Sequence, residues 1–423
     1  MKRIAVIGAG ITGVTSAYAL LQRGYAVTVF ERNRYPAMET SFANGGQLSA
    51  SNAEVWTKPA TLLKGMRWMF RKDAPLSINL KPDWHKYSWL AEFTAQCGNY
   101  EANTVKTVEL ALAARKPLLA WAQAEQIDFN IETRGILHFY NDAKSFQEAV
   151  AVNKLLRQGG LVRDEVCSSE IEALEPALRG RFHAGMFTPG DFTGDIHQYT
   201  RGLSDACERH GGEFVYEASV QACTAGGKGH FVDFTQPDED MPQTRYFDAV
   251  VICAGTGSRD LAAKLGDRIN IYPVKGYSLT VNLTDAQAQA AAPWVSLLDD
   301  DAKIVTSRLG KSRMRIAGTA ELNGYNRDIR ADRIEPLLGW CRRYLPDMPT
   351  DQVIPWAGLR PMTPSMLPHV GAGSSSGVFY NTGHGHLGWT LSAATAELLG
   401  DAVMEQLPPE QMVVTVPEWR QAS

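Results

Sequence analysis

The stretch IAVIGAGITG, Ile4 to Gly13, decides the fold. Ile4 to Ile7 is apolar without polar alternation, as expected of a parallel strand buried on both faces. Gly8-Ala9-Gly10-Ile11-Thr12-Gly13 follows at once, and Val14 to Arg23 then reads as a helix stopped by Gly24. A second strand is expected over Ala26 to Phe30, with Glu31 at its end. Each glycine answers a separate need, namely a tight turn, close backbone approach to a pyrophosphate, and packing of the helix on the strand. The helix start offers unpaired N–H groups and partial positive charge to phosphates. Glu31 is placed to accept hydrogen bonds from a ribose diol, which disfavours a 2′-phosphate. Glycine motif, helix and terminal acid together predict a dinucleotide-binding, Rossmann-like α/β domain. They do not separate FAD from NAD.

The 423 residues, 44% hydrophobic, exceed one ordinary domain, so two are expected. A formal charge of -4 supplies no basic field for a nucleic acid. The six cysteines are scattered without a C-x-x-C pair, which reads as buried thiols in a reducing compartment; no metal spacing is present. The first residues, MKRIAVIGAGITGV, imitate a signal peptide, but Gly8 interrupts the apolar run and cleavage would destroy the glycine loop. A cytoplasmic protein is therefore expected. No apolar run reaches the roughly 18 residues that a membrane span requires.

Three further stretches bear on the cofactor. Glu39 to Gln47, ETSFANGGQ, is a polar, glycine-bearing loop able to lay backbone amides beside a flat heterocycle. RYFDAVVICAG, Arg245 to Gly255, reads as a strand after a hairpin (Gly212 to Cys223, then His230 to Thr235). It ends in Ala254-Gly255, where a cofactor could approach the backbone closely. NTGHGHLGWT, Asn381 to Thr390, holds two histidines and three glycines before a helical pattern.

With these stretches the chain resembles the D-amino-acid oxidase superfamily of flavoproteins, and within it the bacterial D-amino-acid dehydrogenases of small-subunit type. The resemblance is carried by the N-terminal glycine motif, E-T-S-x-A-N-G-G-Q (39–47), W-M-F (68–70), T-G-D (193–195), Y-P-V-K-G-Y-S-L-T (272–280), G-L-R-P-M-T-P (358–364) and N-T-G-H-G-H-L-G-W-T (381–390), spread over almost the whole chain. It implies non-covalent FAD, since no cysteine lies near residues 381–390. The expected cofactor contacts are Gly8, Gly10, Ile11, Thr12, Gly13, Glu31, Arg32, Thr40, Ser41, Asn44, Gly45, Gly46, Gln47 and Leu48. Val220, Ala254, Gly255, Arg360, Gly383, His384, Gly385, Leu387, Gly388, Trp389 and Thr390 complete the set. In such flavoproteins the G-H-G-x-x-G-x-T segment turns its N–H groups towards the flavin pyrimidine edge. A glycine-rich helix start stabilises the negative charge that develops there on reduction. His384 and His386 are then loop residues with hydrogen-bonding roles, because no carboxylate or cysteine stands at ligand spacing.

Arg360 stands between a glycine and two prolines, which suits a pinned backbone and a guanidinium held for a carboxylate. From the residues alone a structural ion pair is an equal reading; the resemblance implies capture of the substrate α-carboxylate. Tyr272 to Thr280 reads as an edge strand passing the flavin. Tyr277 on it would bond the carboxylate, close the pocket, or simply pack; Lys275 would sit near the flavin or be solvated. Arg308 and Tyr325 are further candidates. The departure from the family pattern, Ser365-Met366-Leu367 after the arginine, bears on side-chain preference.

The implied reaction is FAD-dependent oxidative deamination of a D-amino acid to a 2-oxo acid and ammonia. The Cα hydride goes to flavin N5, and a quinone-type or respiratory acceptor takes the electrons; the alternative is an oxidase using O2. A fixed carboxylate and a neutral amine carry the rate without an obligatory side-chain base. The FAD domain is expected over 1–55, 195–265 and 352–423. The substrate domain takes 56–194 and 266–351, an α+β unit on an antiparallel sheet that includes Ile136 to Tyr140 and Met314 to Gly318. Helices are expected near 101–126, near 144–158, and after Asp195. On a helix, LLKGMRWMFRK, Leu62 to Lys72, would oppose an apolar stripe to Lys64, Arg67 and Arg71. This suits either cover for the substrate domain or peripheral contact with a membrane.

Overall fold

The apolar run at the N-terminus becomes a central strand. In the computed structural model, which describes residues 1–58, 75–237, 239 and 241–410, Arg3–Ile7 lies between Ala26–Phe30 and Ala249–Ile252, parallel to both. Outward from these come Glu213–Val215 on one side and Val378–Thr382 on the other, also parallel, with His369–Ala372 antiparallel at the edge. Ile4 and Val6 pack among helices Ile11–Gln22, Ile196–Arg209 and Gly388–Gln406. Ala5 and Ile7 face Phe234 and Phe247 of a three-stranded sheet. Two buried faces explain the absence of alternation in the sequence.

The second layer is a nine-stranded sheet, mixed rather than purely antiparallel, because Ser296–Asp299 runs parallel to Ile136–Tyr140 and Leu76–Ile78 parallel to Arg313–Leu322. Tyr277, Leu279, Val281 and Ile316 bury one of its faces against helix Ala331–Tyr344. The expected helices are present as Tyr100–Ala124 and Ala143–Gln158. Asp195 caps Ile196–Arg209 through the N–H groups of His197 and Gln198.

Four expectations are corrected. Arg245 to Gly255 is not one strand: Gln243–Phe247 belongs to the three-stranded sheet and Ala249–Ile252 to the six-stranded one. They separate at Asp248, whose carboxylate accepts the Arg3 N–H. The hairpin is Ser219–Gly226 with Gly229–Thr235, since Glu213–Val215 is taken by Ala26–Phe30. Tyr272–Asn282 is an interior strand, bonded along both sides, and the edge beside it is Val353–Met362. That edge carries Pro355 and Pro361, which lack an N–H and are tolerated where one side of the ladder is free. The boundary placed at 352 therefore falls too early, because residues 353–362 belong to the second sheet. Helix Tyr100–Ala124 also shares its core with the first domain. The amphipathic stretch 62–72 lies outside the described residues. Among those described, no helix is long and apolar enough to cross a membrane.

Candidate active site

Between the two sheets lies a cavity of about 520 Å³. Its lining comes from nearly every stretch singled out in the sequence: Gly8, Gly10, Ile11, Thr12, Glu31, Arg32, the 37–47 loop, Val220, Ala254, Gly255, and 382–390. At one end the helix Ile11–Gln22 begins at Gly10, with no side-chain cap and no acidic residue in its first turn. Glu31 turns back to this corner, where its carboxylate accepts the Ala9 N–H at 2.8 Å and both the N–H and amide of Asn33. Gly13 and Leu48 do not line the cavity. Gly13 serves packing: a Cβ there would stand 1.8 Å from the Gly8 carbonyl oxygen. The Leu48 side chain is part of the core.

The 39–46 loop is stitched to its surroundings by donors on neighbouring strands. Ser41 Oγ accepts the Ile11 N–H, Ser278 Oγ donates to the Ala43 carbonyl at 2.7 Å, and Ser307 Oγ to that of Gly45 at 2.6 Å. Thr40 donates to the Leu359 carbonyl, and Asn44 accepts the Gly46 N–H. At the opposite end Gly383 and Gly385 adopt φ of +77° and +59°, and the chain then enters helix Gly388–Gln406. This helix too starts with neither a side-chain cap nor an acidic first turn. Two helix starts thus present positive ends to one cavity.

The cavity passes a direct test for a large polar cofactor. Gln47 Oε1, Thr319 Oγ1 and Trp389 Nε1 are buried on cavity-lining residues and have no hydrogen-bond partner among the described residues. Orphaned polar atoms on the wall of a cavity call for a ligand that completes them. A dinucleotide with an amide-bearing ring system offers donors and acceptors of the kinds required, with its pyrophosphate at the Gly10 corner.

Arg360 is the centre of the remaining chemistry. It sits opposite Val274 on the edge strand, not on a loop, so ladder hydrogen bonds pin its backbone as well as the prolines do. Its Nη1 donates to the Thr319 carbonyl at 2.9 Å. Among the described residues no carboxylate pairs with it, and burial alone pushes the guanidinium down to about 10, so it stays charged at neutral pH. The guanidinium lies across Gly276, where a Cβ would meet Nη2 at 2.3 Å. Thr319 occupies a β-bulge at φ +58°, rare for a β-branched residue. A strain of about 1–3 kcal/mol is stored where the carbonyl is aimed at Arg360.

Lys275 is corrected by the pleat, whereas Tyr277 lines the cavity with its hydroxyl engaged on the far side of the strand. Directly opposite residues of an antiparallel pair share a face, so Arg360, Val274, Gly276 and Gly358 share one side while Lys275 and Tyr277 take the other. The Tyr277 hydroxyl donates to Glu321 at 2.6 Å. Lys275 is fully buried, neither solvated nor at the cavity, and bonds Asn326, the Asp328 carbonyl and Glu321. Glu321 also receives Arg330 and is the hub of this cluster. Nothing in the residue pattern marks Glu321 beyond an acid in a strand. Arg308 is likewise structural, donating to four carbonyls under the Trp294 ring. Tyr325 is not a lining residue, but its hydroxyl bonds the carbonyl of Thr256, which is.

His384 and His386 have the hydrogen-bonding roles expected of them. His384 Nε2 meets Thr395 Oγ1 at 3.0 Å; His386 stacks on Trp56 at 4.8 Å and bonds the Asn52 carbonyl. Burial pushes His384 down to about 3; burial, then the Arg360 charge, pushes His386 down to about 4. A histidine buried neutral binds fewer protons folded than unfolded, so its stabilisation is complete above the unfolded value near 6.5 and is lost as pH falls. His384 should remove about 1.4 kcal/mol per pH unit below that point. Urea midpoints at pH 7, 6 and 5 should fall more steeply for the wild type than for His384→Asn. Parallel slopes would refute this.

Comparison with known proteins is consistent with this architecture along its whole length. Residues 3–402 match the family model described as FAD dependent oxidoreductase. The chain is 58% identical over 408 residues to D-amino acid dehydrogenase 3 of Mesorhizobium japonicum, covering 96% of this chain and 98% of that one. It is 37% identical over 412 residues to the D-amino acid dehydrogenase of Dechloromonas aromatica, with coverage of 96% and 98%. In fold it is similar to glycine oxidase from Geobacillus kaustophilus, with TM-score 0.75, 20% identity and 96% of each chain covered. It also resembles L-proline dehydrogenase from P. horikoshii, with TM-score 0.74, 14% identity and coverage of 98% and 95%.

Proposed function

The chain belongs to the FAD dependent oxidoreductases and is an FAD-dependent enzyme; on that premise we propose that it oxidatively deaminates D-amino acids to 2-oxo acids and ammonia. The relatives' names give the substrate class, and Arg360 gives the physical reason. It is a half-buried, charged fork lining the cavity, with one carbonyl partner and no anion among the described residues. An α-carboxylate supplies the missing charge through two parallel N–H···O bonds.

The Gly10 and Gly388 helix starts, the 39–47 loop, Glu31, and the Val220 and Ala254–Gly255 stretches would hold FAD. When bound, FAD supplies an isoalloxazine whose N5 accepts the Cα hydride. Arg360 fixes the substrate in one orientation, its own position set by the Thr319 carbonyl and by the absence of a side chain at Gly276. Lys275 and Glu321 hold the strand from its far face, and the hydroxyl of the cavity-lining Tyr277 is anchored to Glu321. The electron acceptor in this proposal is of quinone type, reached from a membrane surface.

Anaerobic mixing of purified protein with D-alanine, D-proline and their L-enantiomers tests the reading. The yellow absorbance should bleach with D-amino acids only. A spectrum unmoved by any D-amino acid would refute it. In air, fast turnover with an artificial quinone and little oxygen consumption is expected; the reverse would make the protein an oxidase.

A further inference from the structure

One hydrogen-bonded chain leads away from the cavity and has no role in holding the fold's apolar core. Ser49 lines the cavity beside Thr390, whose Oγ1 accepts its N–H. Ser49 Oγ lies 3.0 Å from Ser51 Oγ, and Ser51 Oγ lies 3.0 Å from His138 Nε2. His138 Nδ1 in turn lies 3.2 Å from Asp300 Oδ2. Ser49, Ser51 and His138 are almost fully buried, whereas Asp300 reaches the surface with 29% of its side chain exposed. We propose that Ser49, Ser51, His138 and Asp300 form a proton relay that carries the proton lost by the substrate's ammonium group from the cavity to the surface. The proposal rests on the deamination reading, because that reaction requires a neutral amine at Cα.

The direction of the relay follows from its last member. Burial raises Asp300, but Lys303 and His138 outweigh this and hold its carboxyl well below the usual range, so it only accepts hydrogen bonds. His138 therefore carries its hydrogen on Nδ1 and presents the Nε2 lone pair to Ser51. The Ser51 hydrogen then points at His138, and the Ser49 hydrogen at Ser51. The lone pairs of Ser49 Oγ take the Asn52 N–H at 3.1 Å and leave room for a donor in the cavity. Every hydrogen along the chain is thus aligned outward. The groups around the imidazole are Asp300, Asp191, Tyr140 and Arg163; burial and then Arg163 push it down while the two carboxylates oppose them, so it rests neutral.

A Ser-His-Asp arrangement is familiar from hydrolases, but Ser51 does not line the cavity and its neighbouring amides are in use. The N–H groups of Ala50 and Ser51 both donate to Asp191 at 3.0 Å, and Asp191 is bound by Arg115. What these bonds provide is a rigid loop that holds two hydroxyls in line. The two imidazoles that line the cavity, His384 and His386, are pushed down to about 3 and about 4 and are too weak as bases.

The step balances without an added reagent. One N–H bond of the substrate ammonium breaks and its proton bonds to Ser49 Oγ, directly or through one cavity water. The Ser49 hydrogen passes to Ser51 and the Ser51 hydrogen to His138 Nε2. The imidazolium formed lies against the Asp300 carboxylate and returns its proton to solvent there. The amine keeps its lone pair and can expel the Cα hydride.

The test compares the wild type with Ser51→Ala and His138→Gln. In both variants the pH at which kcat/KM for D-alanine is half-maximal should rise by about one unit or more, with the thermal midpoint and FAD content of Ser51→Ala unchanged. Nitrogen-15 NMR of flavin-free protein should show His138 protonated on Nδ1 and bare on Nε2 at neutral pH. A Ser51→Ala profile superimposed on the wild type would overturn the relay. So would an Nε2–H tautomer, or a shift caused instead by Glu54→Gln, one of the carboxylates at the cavity wall. If no D-amino acid reduces the flavin, the deamination reading fails, and the NMR result still judges the wire.

Discussion

Arg360→Leu should lower kcat/KM by about 10³-fold and leave the thermal midpoint unchanged or higher. The activity loss corresponds to two charge-assisted hydrogen bonds to a carboxylate, about 4 kcal/mol together. The unchanged midpoint is the less usual outcome. Most buried charges are destabilising to remove because a partner is left behind. Here only the Thr319 carbonyl is left, while the desolvation cost of a guanidinium disappears. Arg360→Lys keeps the charge without the planar fork, so a loss of about 10² is expected. Gly276→Ala should imitate it, since the new methyl would occupy the space of Nη2. Steady-state kinetics with an artificial acceptor, alongside calorimetry, decides the matter. Wild-type kcat/KM in Arg360→Leu would remove the carboxylate assignment, and a midpoint many degrees lower would show that Arg360 is a structural ion.

Gly13→Ala should yield protein that is insoluble or colourless, with less than about a tenth of the wild-type FAD content. The added Cβ would lie 1.8 Å from the Gly8 oxygen and 2.9 Å from its carbonyl carbon, both backbone atoms. Overpacking against mobile side chains costs about 1–3 kcal/mol; here the obstacle is the turn itself. Gly8, at φ +105°, is tethered to the second strand, where the Phe30 carbonyl accepts its N–H at 2.8 Å. Strand, turn and helix must part, and the Gly10 helix start leaves the cavity. Gly10→Ala is the control: a Cβ there meets only Ser41 Oγ, at 3.5 Å. That variant should fold normally, and any loss of FAD in it reports on cofactor approach alone. Flavin absorbance per polypeptide and the thermal midpoint are the measurements. A yellow, stable Gly13→Ala protein would refute the packing argument.

What the sequence determined by itself was local. A continuous apolar run, glycines at fixed offsets and an acid closing the next strand sufficed for the dinucleotide corner, because these features act within about thirty residues. Gly383, Gly385 and the helix after them were readable for the same reason. The tertiary structure decided which side of a strand each residue faces and what lies beyond it. Tyr277 and Lys275 share a motif with the Arg360 partner strand, yet the Lys275 ammonium and the Tyr277 hydroxyl both go to Glu321, 44 residues on from Tyr277, and of the two only Tyr277 lines the cavity. Asp248 divides what looked like one strand between two sheets, and Thr319 owes its importance to a bulge that no residue pattern announces. The line from Ser49 to Asp300 joins residues from a loop, a strand and a turn. A hydrogen bond between them depends on distances of about 3 Å, which only the packing of the two sheets sets.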